Sequence, residues 1–390
     1  MPFWNRDTYR SIRRRFISGE VIRGADVLAL QSEVIRRLDV ARALLCGSGS
    51  LALELALRAS HVGAGDEVVI PAFCCSAIVA PVLAVGATPV LADVGAELNL
   101  TVETVGAAFT QKTRAIIVPH LFGNPADIRE IAELGNAKAI VVIDDAAQAL
   151  GAAIDGQPVG SFGDMGVISF GAEKVCFGLG GGALVSRSPG VVEAAREIPL
   201  GYPSVGRTAG RLTSTLLLRR WRRWTSFMVR LFGLGQRRDP DAAPEPYRRE
   251  YMANLSAAVA RTLLNSLPEN LSSRRARVEV YEALLGSEAG IELIRHRPGS
   301  ACLTQVAQLK RKRRDDDLSA KTISALAQAG YEVQGSYMPI HLLGQFSACV
   351  WDRLPHSEKV WADLIELPCE PTVRLSDIEQ IASIIKRCAA

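Results

Sequence analysis

Between about residues 43 and 186 short apolar runs alternate with stretches of helical spacing. The runs at 42–46 (RALLC), 67–70 (EVVI), 88–92 (TPVLA), 114–118 (RAIIV), 139–143 (AIVVI), 166–170 (GVISF) and 182–186 (GALVS) predict strands. Segments near 51–60, 74–85, 101–109 and 126–134 predict helices between the earlier ones. Continuous β-branched runs separated by helices indicate a largely parallel sheet covered on both faces. The last strands are joined by glycine-rich turns, "DGQPVGSFGD" and "GLGGG", so the sheet is expected to end in mixed order.

Beyond residue 198 the pattern changes. No acidic residue occurs between Glu197 and Asp239, whereas nine arginines do, and "DPDAAPEP" at 239–246 reads as a linker. From 252 onward a helix–strand–helix pattern resumes, with helical stretches near 356–366 and 376–387. This predicts a large domain over 1–245, with an arginine-rich insertion at about 198–245. A smaller α/β domain over 246–390 follows. A length of 390 residues accommodates two such domains.

Composition narrows the function classes. The chain is 48% hydrophobic and 22% charged, which excludes a disordered or fibrous protein. Its net charge of +4 is mild for this length and gives no reason to expect nucleic acid. The eight cysteines form no CxxC pair or zinc-type cluster, and read as packed thiols of a reducing compartment. The N-terminal segment has no long apolar stretch of a secretory signal, and no run of apolar residues is long enough to span a bilayer. A cytoplasmic location is expected.

Three segments carry candidate chemistry, and all three follow predicted strands, where ligands of open parallel sheets bind. In "CGSGSLALELAL" a helix is expected to start at Ser50, with the amides of Leu51 and Ala52 forming an anion site. In "VVIDDAAQALGA" Asp144 and Asp145 end an apolar strand. In "ISFGAEKVCFGLGGG" a single lysine, Lys174, stands among apolar and glycine residues. An amine of low charge is a nucleophile toward carbonyls. The ordinary readings are a solvated loop lysine, an aspartate capping a helix, and polar loop residues at Gln148 and Ser169. Together, an anion cradle, a strand-end carboxylate and a lysine in apolar surroundings are the parts that hold pyridoxal phosphate. "GSGSLA" also fits the dinucleotide fingerprint G-x-G-x-x-A, but the acidic residue expected after the second strand is absent from "VVIPAF".

The run from Gly47 to Gly182 resembles the DegT/StrS-type sugar aminotransferases. The resemblance is carried by "SGSLALELALRA", "GAGDEVVIPAF", "VGATPVLADV", "TRAIIVPHLFGNPADI", "VVIDDAAQALGA" and "ISFGAEK" with "GLGGGALV". It implies an α/β fold of the fold-type-I aminotransferase class, with a mostly parallel central sheet between helices. It further implies pyridoxal 5'-phosphate as cofactor, a keto-sugar on a nucleotide or lipid diphosphate as acceptor, glutamate as amino donor, and a homodimer. Matched by position, Lys174 resembles the lysine that links to the cofactor and moves the proton. Asp145 resembles the partner of the pyridine nitrogen, Gln148 a residue beside the ring, and Ser169 a phosphate-binding serine. Ser50 and the Leu51 amide resemble the phosphate contacts of the first helix, and His341 a histidine near the sugar. Two positions depart from the family. Cys75 stands where an aromatic faces the ring, with Phe73 two residues earlier. Arg249 stands where an asparagine reaches the phosphate of the neighbouring subunit. The pyridoxal-dependent sugar dehydratases of the same family typically carry histidine at the lysine position, so Lys174 favours transamination. A non-catalytic regulatory or membrane-surface protein that keeps the cofactor pocket is the alternative from another class, supported by Cys75.

The insertion adds one expectation. On a 100° wheel Leu217, Trp221, Trp224, Met228 and Leu231 share a face, opposite Arg219, Arg220, Arg222, Arg223 and Arg230. The segment 212–232 is therefore expected to be an amphipathic helix. It either packs on protein, binds a substrate diphosphate, or lies on the inner membrane surface as a peripheral contact.

Overall fold

The structure is a computed structural model that describes residues 4–217, 247–310 and 317–390. Two helices, α1 (Arg6–Ile17) and α2 (Ala25–Leu38), precede the sheet. Strands β1 (Arg42–Cys46), β2 (Glu67–Pro71), β3 (Thr88–Ala92), β4 (Thr113–Pro119) and β5 (Val141–Asp145) alternate with α3 (Gly49–Ala59), α4 (Val79–Ala84), α5 (Val102–Ala107) and α6 (Ile128–Lys138). A short hairpin, β6 (Ala153–Ile154) and β7 (Gln157–Pro158), leads to β8 (Met165–Ser169) and β9 (Gly182–Ser186). The seven main strands lie in the order β1-β9-β8-β5-β4-β2-β3. Only β9 runs against its neighbours, pairing antiparallel with both β1 and β8. The mixed order thus comes from the single strand entered through the glycine-rich loop, which folds back on Phe170 with no helix to carry the chain across a face of the sheet.

Side chains alternate between two cores. Leu44 and Cys46 of β1, Leu184 of β9 and Val167 of β8 face a core covered by α3 and α4. Ala43, Leu45, Ala183, Val185 and Ile168 face the other, covered by α1, α2 and α9 (Asn254–Asn265). Both faces of the sheet are buried, which is why its strands read as continuous apolar runs. Before α9 come α7 (Pro189–Arg196) and α8, a helix over 205–217. The rest of the expected 212–232 helix, 218–232, and the 239–246 linker lie outside the described residues.

Helix α10 (Leu267–Leu285) begins in the second core with Leu267 and Leu271 and ends in a separate one with Val278, Tyr281 and Leu285. That third core lies between α10, α11 (Leu318–Ala329) and α13 (Leu375–Ala389) on one side and an antiparallel sheet on the other. Its strands are β10 (Ile291–Leu293), β11 (Thr304–Leu309), β12 (Gln334–Gly335) and β13 (Leu364–Pro368), in the order β10-β11-β13-β12.

Two elements differ from the sequence pattern. The fifth strand starts at Val141 because Ala139 takes the left-handed conformation (φ 53°) that ends α6, and the strand runs on through both aspartates. The helix expected over 356–366 stops at Val360, in α12 (Pro355–Val360), and Leu364–Pro368 becomes β13 instead. Its pairing with β11 supplies the hydrogen bonds that a helix would otherwise have made.

Candidate functional site

The ends of β1, β5 and β8 lie on one edge of the sheet, β9 joining β1 to β8 and β8 pairing with β5. Gly182 on β9 stands opposite Cys46 on one side and Ser169 on the other. A Cβ on Gly182 would lie 2.5 Å from the carbonyl carbon and oxygen of Ser48 and 2.6 Å from the Gly49 nitrogen. Only glycine permits this approach, which seats the first turn of α3 on the sheet.

That turn is capped by Ser48, not by Ser50. Ser48 is extended (φ −164°, ψ 165°), and its Oγ accepts from the Leu51 amide at 3.1 Å. The Ala52 amide donates to the Ser48 carbonyl at 3.1 Å. The amides without an acceptor inside the helix are therefore those of Gly49 and Ser50, two residues earlier than the sequence suggested. Both serines of "GSGS" are suitable caps; the contact with Gly182 and the bond from the Gly47 amide to the Glu250 carbonyl (2.7 Å) decide between them. Ser169 stands beside this helix end: a Cβ on Gly49 would meet its Cβ at 3.0 Å and its Oγ at 3.3 Å. The Ser169 hydroxyl also accepts from the Gly171 amide at 3.2 Å. Two helix amides and a buried hydroxyl thus make a small cradle that suits a phosphate.

The two adjacent aspartates point to opposite sides of β5, and the structure separates their roles. The fully buried carboxylate of Asp144 is filled by His120 Nε2 (2.6 Å) and the amides of Gly160 (2.7 Å) and Phe162 (2.9 Å). His120 in turn accepts the Ala126 amide on Nδ1 at 2.9 Å, so Nε2 carries the proton and donates. Asp145 receives the Ala147 amide at 2.9 Å. Burial pushes its carboxyl above the usual range, against the pull of that amide and of the Lys174 charge. A buried carboxylate whose charge lacks a full set of partners is suited to a cation or a protonated ring nitrogen.

Lys174 lies on the loop that leaves β8, half-buried, directly after Glu173 in the left-handed conformation (φ 61°). Buried Gln148 accepts from the Phe122 amide at 3.0 Å and donates to the Tyr337 hydroxyl at 3.3 Å. This ties the end of β5 to a segment of the C-terminal part that the sequence did not point to. Cys75 is half-buried on the turn after β2. Phe73 is fully buried and packs on Phe122 and Tyr337, with ring centres 6.3 and 6.0 Å away, so it does not stand in for Cys75 on the site's surface. His341 lies on a turn bound to the end of β2 through the Ile340 amide and the Ala72 carbonyl (2.7 Å). Its Nε2 is 3.1 Å from Glu358.

Arg249 is placed differently. Within the chain its guanidinium is 2.5 Å from Glu54, whose buried carboxylate also holds Arg58 (2.7 Å) and the Tyr247 hydroxyl (2.9 Å). Lys174, Asp145, Gln148, Ser169 and the start of α3 meet at one edge of the sheet; in the single chain Arg249 is occupied by Glu54. Among the described residues there is no cluster suited to a metal ion and no helix long and apolar enough to cross a membrane. The donor set of amine, buried carboxylate and anion cradle fits a phosphorylated pyridine aldehyde.

Comparison with known proteins bears on this geometry. The profile of the DegT/DnrJ/EryC1/StrS aminotransferase family matches residues 5–386. A UDP-N-acetyl-3-dehydro-alpha-D-glucosamine 3-aminotransferase of Acidithiobacillus ferrooxidans is 31% identical over 361 residues, 92% of this chain and 87% of that protein. A dTDP-4-dehydro-2,3,6-trideoxy-D-glucose 4-aminotransferase of Saccharopolyspora spinosa is 26% identical over 98% of this chain and 94% of its own length. The crystal structure of the aminotransferase TlmJ from Streptoalloteichus hindustanus has the same fold. It covers 99% of this chain and 97% of its own, with a TM-score of 0.81 at 24% identity.

Proposed function

The chain belongs to the DegT/DnrJ/EryC1/StrS aminotransferase family, and from that premise we propose that it aminates a keto-sugar carried on a diphosphate, with glutamate as donor and pyridoxal phosphate as cofactor. The observation that carries this reading is the convergence of Lys174, Asp145, Ser169 and the α3 amides at the ends of β8, β5 and β1. The carrier follows the relatives, which are named for UDP- and dTDP-linked sugars. Pyridoxal phosphate, when bound, supplies an electron sink for the charge that develops at the substrate carbon.

The residues of the chain do the rest. The amides of Gly49 and Ser50 and the Ser169 hydroxyl bind the phosphate. Asp145 keeps a proton on the ring nitrogen: its ionised form, disfavoured by burial, is stabilised by that cation. Gln148, fixed by the Phe122 amide and the Tyr337 hydroxyl, would border the ring. Lys174 would hold the cofactor through its aldehyde carbon, and its amine, when free, would move the proton at the substrate carbon. His341 borders the acceptor. A homodimer in which Arg249 serves the neighbouring subunit's phosphate is part of the same proposal, and requires Arg249 to leave or share Glu54.

The test is spectroscopic. The purified protein with pyridoxal phosphate should show a visible band that borohydride removes and glutamate bleaches. Lys174→Ala should keep the fold and lose both the band and turnover. Full turnover in Lys174→Ala, or a protein that never takes up the cofactor, overturns the reading. A screen of diphosphate-linked keto-sugars then identifies the acceptor.

A further inference from the structure

The loop that carries Lys174 has no regular structure of its own between Ser169 and Gly182. Its neck closes on Phe170: the Gly178 and Gly180 amides donate to the Phe170 carbonyl (2.9 and 3.2 Å), and the Phe170 amide donates to the Gly181 carbonyl (2.9 Å). Beyond the neck the loop relies on distant side chains. Alternate carbonyls are each held from outside. Asn270 Nδ2 donates to Val175 (3.2 Å), Trp4 Nε1 to Phe177 (3.3 Å), and Arg211 Nη1 to Leu179 (2.9 Å). The Ser256 hydroxyl supports the Leu179 carbonyl at 3.4 Å.

Leu179 is the most demanding of these positions. Leu179, Gly180 and Gly181 are all left-handed, with φ of 63°, 93° and 118°. A leucine in that region is strained and persists only when its surroundings hold it there. The strained turn also leads straight to the cradle, because Gly181 bridges to Ser48, the cap of α3. Arg211 is the charged donor among the four side chains that hold the loop. It comes from α8, at the start of the arginine-rich insertion. The helix is anchored there by buried Thr208 and by Leu212, which joins the core of Phe170 and Leu179.

We propose that Arg211 is a positioning residue for Lys174 and for the phosphate cradle, and that the insertion serves the site by delivering it. Arg211 holds the Leu179 carbonyl, which fixes the strained turn. The turn fixes Gly181 against Ser48 at one end and the Lys174 loop at the other. This rests on the cofactor reading above for its consequence at the site, but not for the clamp itself.

The experiment separates the two. Amide hydrogen exchange of the cofactor-free full chain is followed over 171–182, and pyridoxal phosphate is titrated by absorbance, for wild type, Arg211→Ala, Arg211→Lys and Arg207→Ala. Arg207 lies on the same helix and pairs with Glu250 instead, so its variant controls for loss of charge. Arg211→Ala should speed exchange over 175–181 at least tenfold, weaken cofactor binding about tenfold, and shift the pH at which the visible band changes form. Arg211→Lys should recover part of each; Arg207→Ala should behave as wild type. Wild-type exchange in Arg211→Ala overturns the clamp. Faster exchange with unchanged affinity and unchanged band titration overturns the positioning role and leaves a structural tie. If wild type itself takes up no cofactor, the functional reading fails, while the exchange comparison still decides the clamp.

Discussion

Replacing Gly182 by alanine tests whether the cradle depends on the close approach of β9 to α3. The added Cβ would sit 2.5–2.6 Å from three backbone atoms of Ser48 and Gly49. Ordinary contact between such atoms begins near 3.5 Å, so the two backbones must part by roughly 1 Å. Backbone cannot swing aside as a side-chain tip does, and overpacking of this kind costs about 1–3 kcal/mol. Displacing Ser48 also endangers its cap on the Leu51 amide, worth ~1 kcal/mol. If about 2 kcal/mol of this is felt at the phosphate end, the dissociation constant for pyridoxal phosphate rises roughly 30-fold. Absorbance titration measures the affinity, and thermal unfolding with circular dichroism reports the fold. Gly190→Ala, on α7 with open space around it, serves as the control. Wild-type affinity in Gly182→Ala would refute the reasoning, even with a lowered melting temperature, since the phosphate end would then not depend on this contact.

Two buried groups, Asp145 and His296, give further outcomes through their shifted titrations. The Asp145 carboxyl is raised by burial, so above the ordinary aspartate range near 3.9 the unfolded chain ionises first and the cofactor-free protein loses stability as pH rises toward the raised value. Asp145→Asn should remove that loss, leaving the cofactor-free protein at least as stable at pH 7 while cofactor binding falls; urea unfolding at pH 4 and pH 7 checks both signs. His296 is pushed down to about 4 by burial, with Nε2 3.1 Å from the Thr304 carbonyl. Its contribution is intact above about 6.5 and is lost as pH falls from there toward 4. His296→Gln should flatten that part of the stability profile, and an unchanged slope would remove His296 as its cause.

The sequence by itself determined the sheet and the kinds of residue at its edge. Short, β-branched apolar runs bounded by turn residues suit strands buried on both faces, so the strand positions, the mixed end of the sheet and the placement of Asp145, Ser169 and Lys174 at or just after strand ends were legible. Each depends on local spacing and on burial of a whole run. Choices between equivalent neighbours were not legible. Ser48 and Ser50 are the same residue, and contact with Gly182 and Glu250 made the first one the cap. Asp144 and Asp145 are also alike in residue type and spacing, and only the family resemblance singled out Asp145; in the fold the strand's alternation turns Asp144 toward His120 and leaves Asp145 near Lys174. Leu364–Pro368 reads as the tail of a helix until β11 offers it a ladder of hydrogen bonds. The donors that hold the Lys174 loop come from residues 4, 211, 256 and 270, separated from Lys174 by 170, 37, 82 and 96 positions. Such pairings leave no periodic trace, because a single side chain bound to a backbone carbonyl imposes no pattern on its neighbours. Tertiary structure alone brings these residues together, and it also gives Arg249 to Glu54 within the chain.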